Sequence, residues 1–144
     1  MQRSDQDGTS MSKSKLVNRR WVLGAGAFVC VGSGAIYPID IRRPDEWART
    51  GVAVDAIPID MRRKDFEYVL QSVLDTSGER PVASICARGV RSKRMDRRLT
   101  NAGSPNVTNV PEGMLGSGAG PGWIAKKLPL KAPTEAKRGG QVSV

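Results

Sequence analysis

The stretch Pro81-Val82-Ala83-Ser84-Ile85-Cys86-Ala87-Arg88-Gly89-Val90-Arg91-Ser92 decides the fold of this chain. Its first five residues form an apolar run and read as a short buried strand. The run delivers a cysteine into a tight loop that contains Gly89. Residues 92–102 then have helical character, with Met95 and Leu99 four apart on one face. The order is strand, cysteine, loop, helix. A helix N-terminus offers unpaired backbone N–H groups and a partial positive charge, and both favour an anion. A cysteine sulfur held there is set up as a nucleophile near neutral pH. Arg88 and Arg91 bring two permanent positive charges to the same turn.

Spacing narrows the chemistry. Cys86 and Arg91 are separated by four residues, whereas a cysteine phosphatase needs five between them for its loop to wrap a phosphate. The residue at that sixth place is Ser92. The shorter loop resembles the active-site loop of rhodanese (sulfurtransferase) domains, written Cys-Arg-x-Gly-x-Arg-Ser/Thr. Cys86, Gly89, Arg91 and Ser92 match it, and Ala87 stands where the family has arginine, with Arg88 one place later. A bland alternative is a small buried cysteine at a strand end.

A second segment carries the same resemblance. Asp40, Arg42, Pro44, Glu46 and Trp47 fit the family's Asp-x-Arg-x-Pro-x-Glu-Trp signature. The resemblance implies that Asp40 and Arg42 hold the active-site end of the sheet together, a supporting role shared by Ser92. Gly51, Ala56 and Pro58 fall roughly on the family's Gly-His-Ile-x-Gly-Ala-x-x-Ile-Pro, but Val52 replaces the histidine and Asp55 the second glycine.

The whole chain sets bounds on function. At 144 residues there is room for one small domain with tails. It contains no histidine, which excludes His-ligated metal sites and Ser-His or Cys-His catalysis. Cys30 and Cys86 are too few for a disulfide framework or a Cys-rich metal site. Net charge is +9, and six basic residues fall between Arg88 and Arg98. For Lys93, Arg94 and Arg97 the reading is a solvated helix face. With no aromatic residue nearby, nucleic acid is not the expected partner; the charge serves to steer small anions toward Cys86.

Residues 1–18 are polar and aperiodic and read as disordered. Lys13, Lys15, Arg19 and Arg20 precede the apolar run 21–35, and Ser33-Gly34-Ala35 follows a small-x-small cleavage pattern. Charge order and length predict export, to the periplasm or to an inner-membrane anchor facing it, with a cytoplasmic protein as the alternative. An uncleaved segment 21–35 would be a membrane tether.

Residues 36–41 read as a strand with Pro38 placed early, followed by a helix that opens at Pro44. Residues 56–61 are a predicted second strand. Phe66, Val69, Leu70, Val73 and Leu74 recur at helical spacing, and Thr76-Ser77-Gly78 ends that helix. Residues 106–110 are a last strand, with Pro111-Glu112-Gly113-Met114 turning under it. The Gly-rich stretch 116–122 is a connector at the border of the site, and Trp123-Ile124-Ala125 a short closing helix. Residues 131–144 read as a disordered tail.

Alternating strands and helices predict an α/β fold, a small and mainly parallel sheet flanked by helices, over residues 36–130. The resemblance implies a sulfurtransferase. Cys86 would be its nucleophile, residues Ala87, Arg88, Gly89, Val90 and Arg91 would bind substrate, and Asp40, Arg42 and Ser92 would support them. The donor would be a small sulfur-containing anion such as thiosulfate, or a persulfide. The acceptor would be a thiol or a cyanide-like thiophile, and no cofactor or metal is needed. A catalytically silent rhodanese-like binding module is the alternative.

Overall fold

In the computed structural model, which describes residues 36–104 and 106–132, the strand before the cysteine is β4, Val82–Ile85. All four of its residues are buried, because the sheet is covered on both faces. The strands β1 (Tyr37–Asp40), β3 (Ile57–Pro58), β4 and β5 (Val107–Asn109) form one sheet in the order β3-β1-β4-β5. Every pairing in it is parallel, so all four strands end on the same side. A separate antiparallel pair joins β2 (Val52–Ala53) to β6 (Leu130–Lys131).

Three helices complete the layers: α1 (Pro44–Thr50), α2 (Phe66–Ser77) and α3 (Val90–Asn101). One face of the sheet packs Ile39, Val82 and Val107 against Phe66, Val69, Leu70 and Val73 of α2 and Met95 of α3. On the other face, Ala83 and Ile85 meet Trp47 of α1 together with Met114 and Trp123. The helical spacing in α2 therefore forms a real apolar seam. Each of its buried side chains contributes about 1.5–3 kcal/mol by leaving water.

Pro38 lies in a central strand, where its missing donor should be costly. Register explains its tolerance. Tyr37 and Ile41 donate to β4, at Pro81 O and Ile85 O, so residue 38 faces the opposite neighbour. That neighbour, β3, begins only at Ile57 across from Ile39. Pro38 sits where no acceptor is waiting.

Three local expectations change. The strand foreseen over 56–61 is cut to Ile57–Pro58, with Ile59 N–H still reaching Asp40 O. Beyond it, Asp60 accepts the Arg62 N–H and turns the chain. The helix foreseen at residues 123–125 is a run of turns. Its Trp123 and Ile124 N–H groups are taken by Gly113 O and Met114 O, which anchors the segment to the 113–114 turn. Lys131, assigned by sequence to the tail, pairs with Val52. Residues 1–35, with the signal-like run and Cys30, and residues 133–144 lie outside the described residues. Among the described residues no helix is long and apolar enough to cross a membrane.

Asp55 resolves a departure noted in the sequence. It stands where the family pattern has glycine, and its φ of 67° is left-handed. Aspartate is one of the few residues that reach that region at modest cost. Asp55 thus holds a left-handed turn here without a glycine.

Candidate active site

Cys86 follows the last residue of β4, at the end where all four parallel strands terminate. Its Sγ accepts the Gly89 N–H at 3.2 Å and the Ser92 N–H at 3.4 Å, and lies 3.4 Å from Ser92 Oγ. Of the residues expected to bind substrate, 87–91, Gly89 thus points its amide at the sulfur, and the second amide comes from Ser92, expected only as a support. Helix α3 begins at Val90, two residues earlier than the periodicity suggested. Its N-terminal amides are thereby aimed at the sulfur, an arrangement that favours negative charge there. Ser92 Oγ also bonds Gly89 O at 3.3 Å and fixes the far side of the loop.

The loop is clamped from beneath. Met114 N–H donates to Cys86 O at 2.9 Å and Leu115 N–H to Ala87 O at 2.8 Å. Gly89 has φ 83°, and a Cβ there would come within 2.2 Å of Pro111 O. Gly113, at φ 70°, would place a Cβ 2.4 Å from Ala87 O. Both positions thus exclude any side chain. Gly89→Ala is expected to cost about 2 kcal/mol or more through left-handed strain and overlap with the 111–115 segment. Urea unfolding checks this, and an unchanged midpoint would show that the loop can move away from Pro111.

Arg91 is a brace. Its Nη1 and Nη2 donate to the two carboxylate oxygens of Glu46 at 2.9 and 2.7 Å, tying α3 to α1. Glu46 Oε2 also accepts the Arg43 N–H at 2.9 Å at the start of α1. The Arg91 hydrogen bonds hold the Glu46 carboxyl at about 2, with burial opposing the shift and the Arg43 N–H adding to it. The Arg91 guanidinium is correspondingly raised, first by its hydrogen bonds to Glu46. A carboxyl lowered by folding stabilises the protein fully above the ordinary value of 4.5, and loses that contribution as pH falls toward about 2. Glu46→Gln is therefore expected to lower stability at pH 7 by about 1–2 kcal/mol, after discounting for partial solvent exposure. The difference from the parent should shrink between pH 4.5 and 2. Thermal melts at pH 7 and near pH 3 test this; a difference that did not vary with pH would remove the ion pair from the account.

Asp40 and Arg42 form the buried support at the end of β1. Arg42 is fully buried, and its Nε and Nη2 donate to Asp40 at 2.8–3.1 Å. Its remaining hydrogen bonds reach Thr50 Oγ1 and Gly51 O, both at 2.8 Å, at the far end of α1. Arg91 bonds Glu46 and not Asp40, so the two acidic residues brace different joints.

Arg88 and Val90 are exposed, with Val90 61% accessible, and Ala87 is half-buried. Arg88 Nη1 makes one hydrogen bond, to Gly116 O at 3.3 Å, so the Gly-rich connector does border the loop. Cys86 itself is buried, 1% exposed. Two grooves flank the first turns of α3, about 470 and 250 Å³, and neither is lined by Cys86. What the sequence did not reveal is the clamp from Met114 and Leu115. Backbone contacts between distant segments leave no side-chain signature beyond Gly113 itself.

The rhodanese-like domain model matches residues 31–117, well over half of the chain. The chain belongs to the rhodanese-like domain family. It is also similar to a solved structure from Rhodopseudomonas palustris, described as a protein of unknown function and possible tyrosine phosphatase. Identity is 19%, the TM-score is 0.55, and the alignment covers 91% of this chain and 99% of the other. At that identity the likeness speaks for the fold alone. No curated protein matches the chain.

Proposed function

We propose that this domain is a sulfurtransferase that carries sulfane sulfur on Cys86. The observation that carries the reading is the Cys86 sulfur held between the Gly89 and Ser92 amides at the N-terminus of α3. In the first half-reaction the Cys86 thiolate attacks the outer sulfur of thiosulfate. The donor's S–S bond breaks, sulfite leaves with the electron pair, and a Cys86 persulfide forms. The amides stabilise the charge on the transferred sulfur without side-chain rearrangement. In the second half-reaction a thiolate acceptor attacks the outer sulfur and regenerates the Cys86 thiolate. The donor supplies the sulfane sulfur that takes the acceptor thiol to a persulfide, so no external oxidant, reductant or cofactor enters the balance.

With Ala87 uncharged and Arg91 engaged by Glu46, Arg88 is the loop cation left to meet an anionic donor. The four-residue spacing between Cys86 and Arg91 argues against a phosphatase, because the place that arginine would need is held by buried Ser92. A silent binding module is the second reading, favoured by the burial of Cys86. Mass spectrometry after thiosulfate treatment separates the two: a gain of one sulfur on Cys86 supports transfer, and an unmodified Cys86 supports the silent module. We further propose export, on the charge order and apolar run of residues 13–35. N-terminal sequencing of protein from fractionated cells tests that, and an intact cytosolic chain would overturn it.

A further inference from the structure

We infer that the larger groove beside the loop docks an acidic segment of the protein thiol that accepts sulfur from Cys86; the inference rests on the sulfur-transfer reading above. The groove, about 470 Å³, is lined by Arg88, Val90, Lys93, Arg94 and Arg97. All five are exposed. The neighbouring arginines of α3 are neutralised, Arg91 by Glu46 and Arg98 by Glu67. Lys93, Arg94 and Arg97 have no acidic partner among the described residues. The only acid on α3, Asp96, is buried, with the Thr100 hydroxyl 3.4 Å away. Unpaired like charges crowded along one groove repel each other, and an anionic ligand relieves that repulsion.

The arrangement also limits what the ligand is. Lys93 and Arg97 are one helical turn apart, roughly 6 Å along the axis, and Arg88 extends the row onto the active loop. A single thiosulfate cannot reach all of these charges, whereas carboxylates spaced along a peptide can. Val90 adds an exposed apolar contact between the cations and the loop, as a protein partner would use. No aromatic side chain lines the groove, so single-stranded nucleic acid would find charge but no stacking platform. Docking there brings an acceptor thiol to the loop. Its thiolate attacks the outer sulfur of the Cys86 persulfide; the Cys86–sulfur bond breaks, a new S–S bond forms on the acceptor, and Cys86 leaves as the thiolate.

The test uses the full chain and a labelled peptide carrying one cysteine and several glutamates. A control peptide has glutamine in place of each glutamate. Anisotropy should show tighter binding of the acidic peptide, weakening with salt. Binding should fall roughly tenfold or more in the Lys93→Gln/Arg94→Gln/Arg97→Gln variant. The final extent of Cys86 sulfur loading at saturating thiosulfate, read by mass, should be unchanged in that variant even where the loss of charge slows the approach of the anion, since these exposed side chains make no hydrogen bond to the Cys86 loop. Equal binding of the two peptides, or undiminished binding by the variant, overturns the docking surface. So does tighter binding of a single-stranded oligonucleotide, or full competition by millimolar inorganic phosphate. If Cys86 loads normally while the peptide does not bind, docking fails and sulfur transfer stands. If the acidic peptide binds but Cys86 never loads, the transfer reading fails instead, and with it the acceptor role of the groove.

Discussion

Cys86→Ser is expected to abolish sulfur transfer, lowering turnover of thiosulfate by a factor of about a thousand or more, because among the described residues no other cysteine is there to form the covalent intermediate. A serine hydroxyl is slightly smaller and still accepts hydrogen bonds from the Gly89 and Ser92 amides, so folding should change by no more than about 1 kcal/mol. The structure buries the sulfur. Burial makes the near-isosteric choice important, since a larger replacement would overpack the loop. Activity assays and thermal melts on the same sample separate chemistry from stability. Retained turnover in a folded Cys86→Ser protein would end the covalent mechanism.

The largest stability loss is expected at Asp40. Asp40→Ala removes the carboxylate that neutralises Arg42, while Arg42 stays fully buried with only Thr50 and Gly51 as acceptors. Leaving one partner of a buried pair uncompensated costs about 3–5 kcal/mol. That is a large share of the roughly 5–15 kcal/mol available to a domain of ordinary stability. The Asp40→Ala/Arg42→Met double variant should recover much of the loss, because it removes the stranded charge and fills its volume. Urea denaturation of both variants checks this. If the double variant is no more stable than the single one, the cost arises from the β1 terminus itself and not from the unpaired arginine.

Much of the site was legible because its information is local. Strand, cysteine, glycine and arginine lie within one short stretch, and their spacing alone gives the loop. The amphipathic repeat in α2 was equally plain, since a helix face is set by residues three and four apart. What escaped the sequence is non-local. Leu130 and Lys131 make a strand only because Val52 and Ala53 offer an edge across the fold. Trp123 and Ile124 resemble a helix start, yet the segment is a run of turns tied to the distant Gly113 and Met114. Arg91 could have reached Asp40 or Glu46, and only the position of α1 decides for Glu46. The basic run on α3 looked like an ordinary wetted face. The groove became visible once the 109–119 segment was placed beside it.

The clamp beneath the loop has a consequence for how such a protein can change over time. Met114 and Leu115 hold the carbonyls of Cys86 and Ala87, and Lys93 and Ser92 hold that of Gly89. With these three oxygens held away, the loop presents the Gly89 and Ser92 N–H groups to the sulfur, beside the Ser92 hydroxyl. Peptide groups are the one part of a protein that substitution leaves chemically unaltered, proline apart. The amide cradle therefore makes little demand on the side chains at 87, 88 and 90, and it is built here with Ala87 where the family pattern has arginine. If the chain transfers sulfur as proposed, its donor and acceptor preference can drift through those three positions while the setting of the Cys86 sulfur is kept.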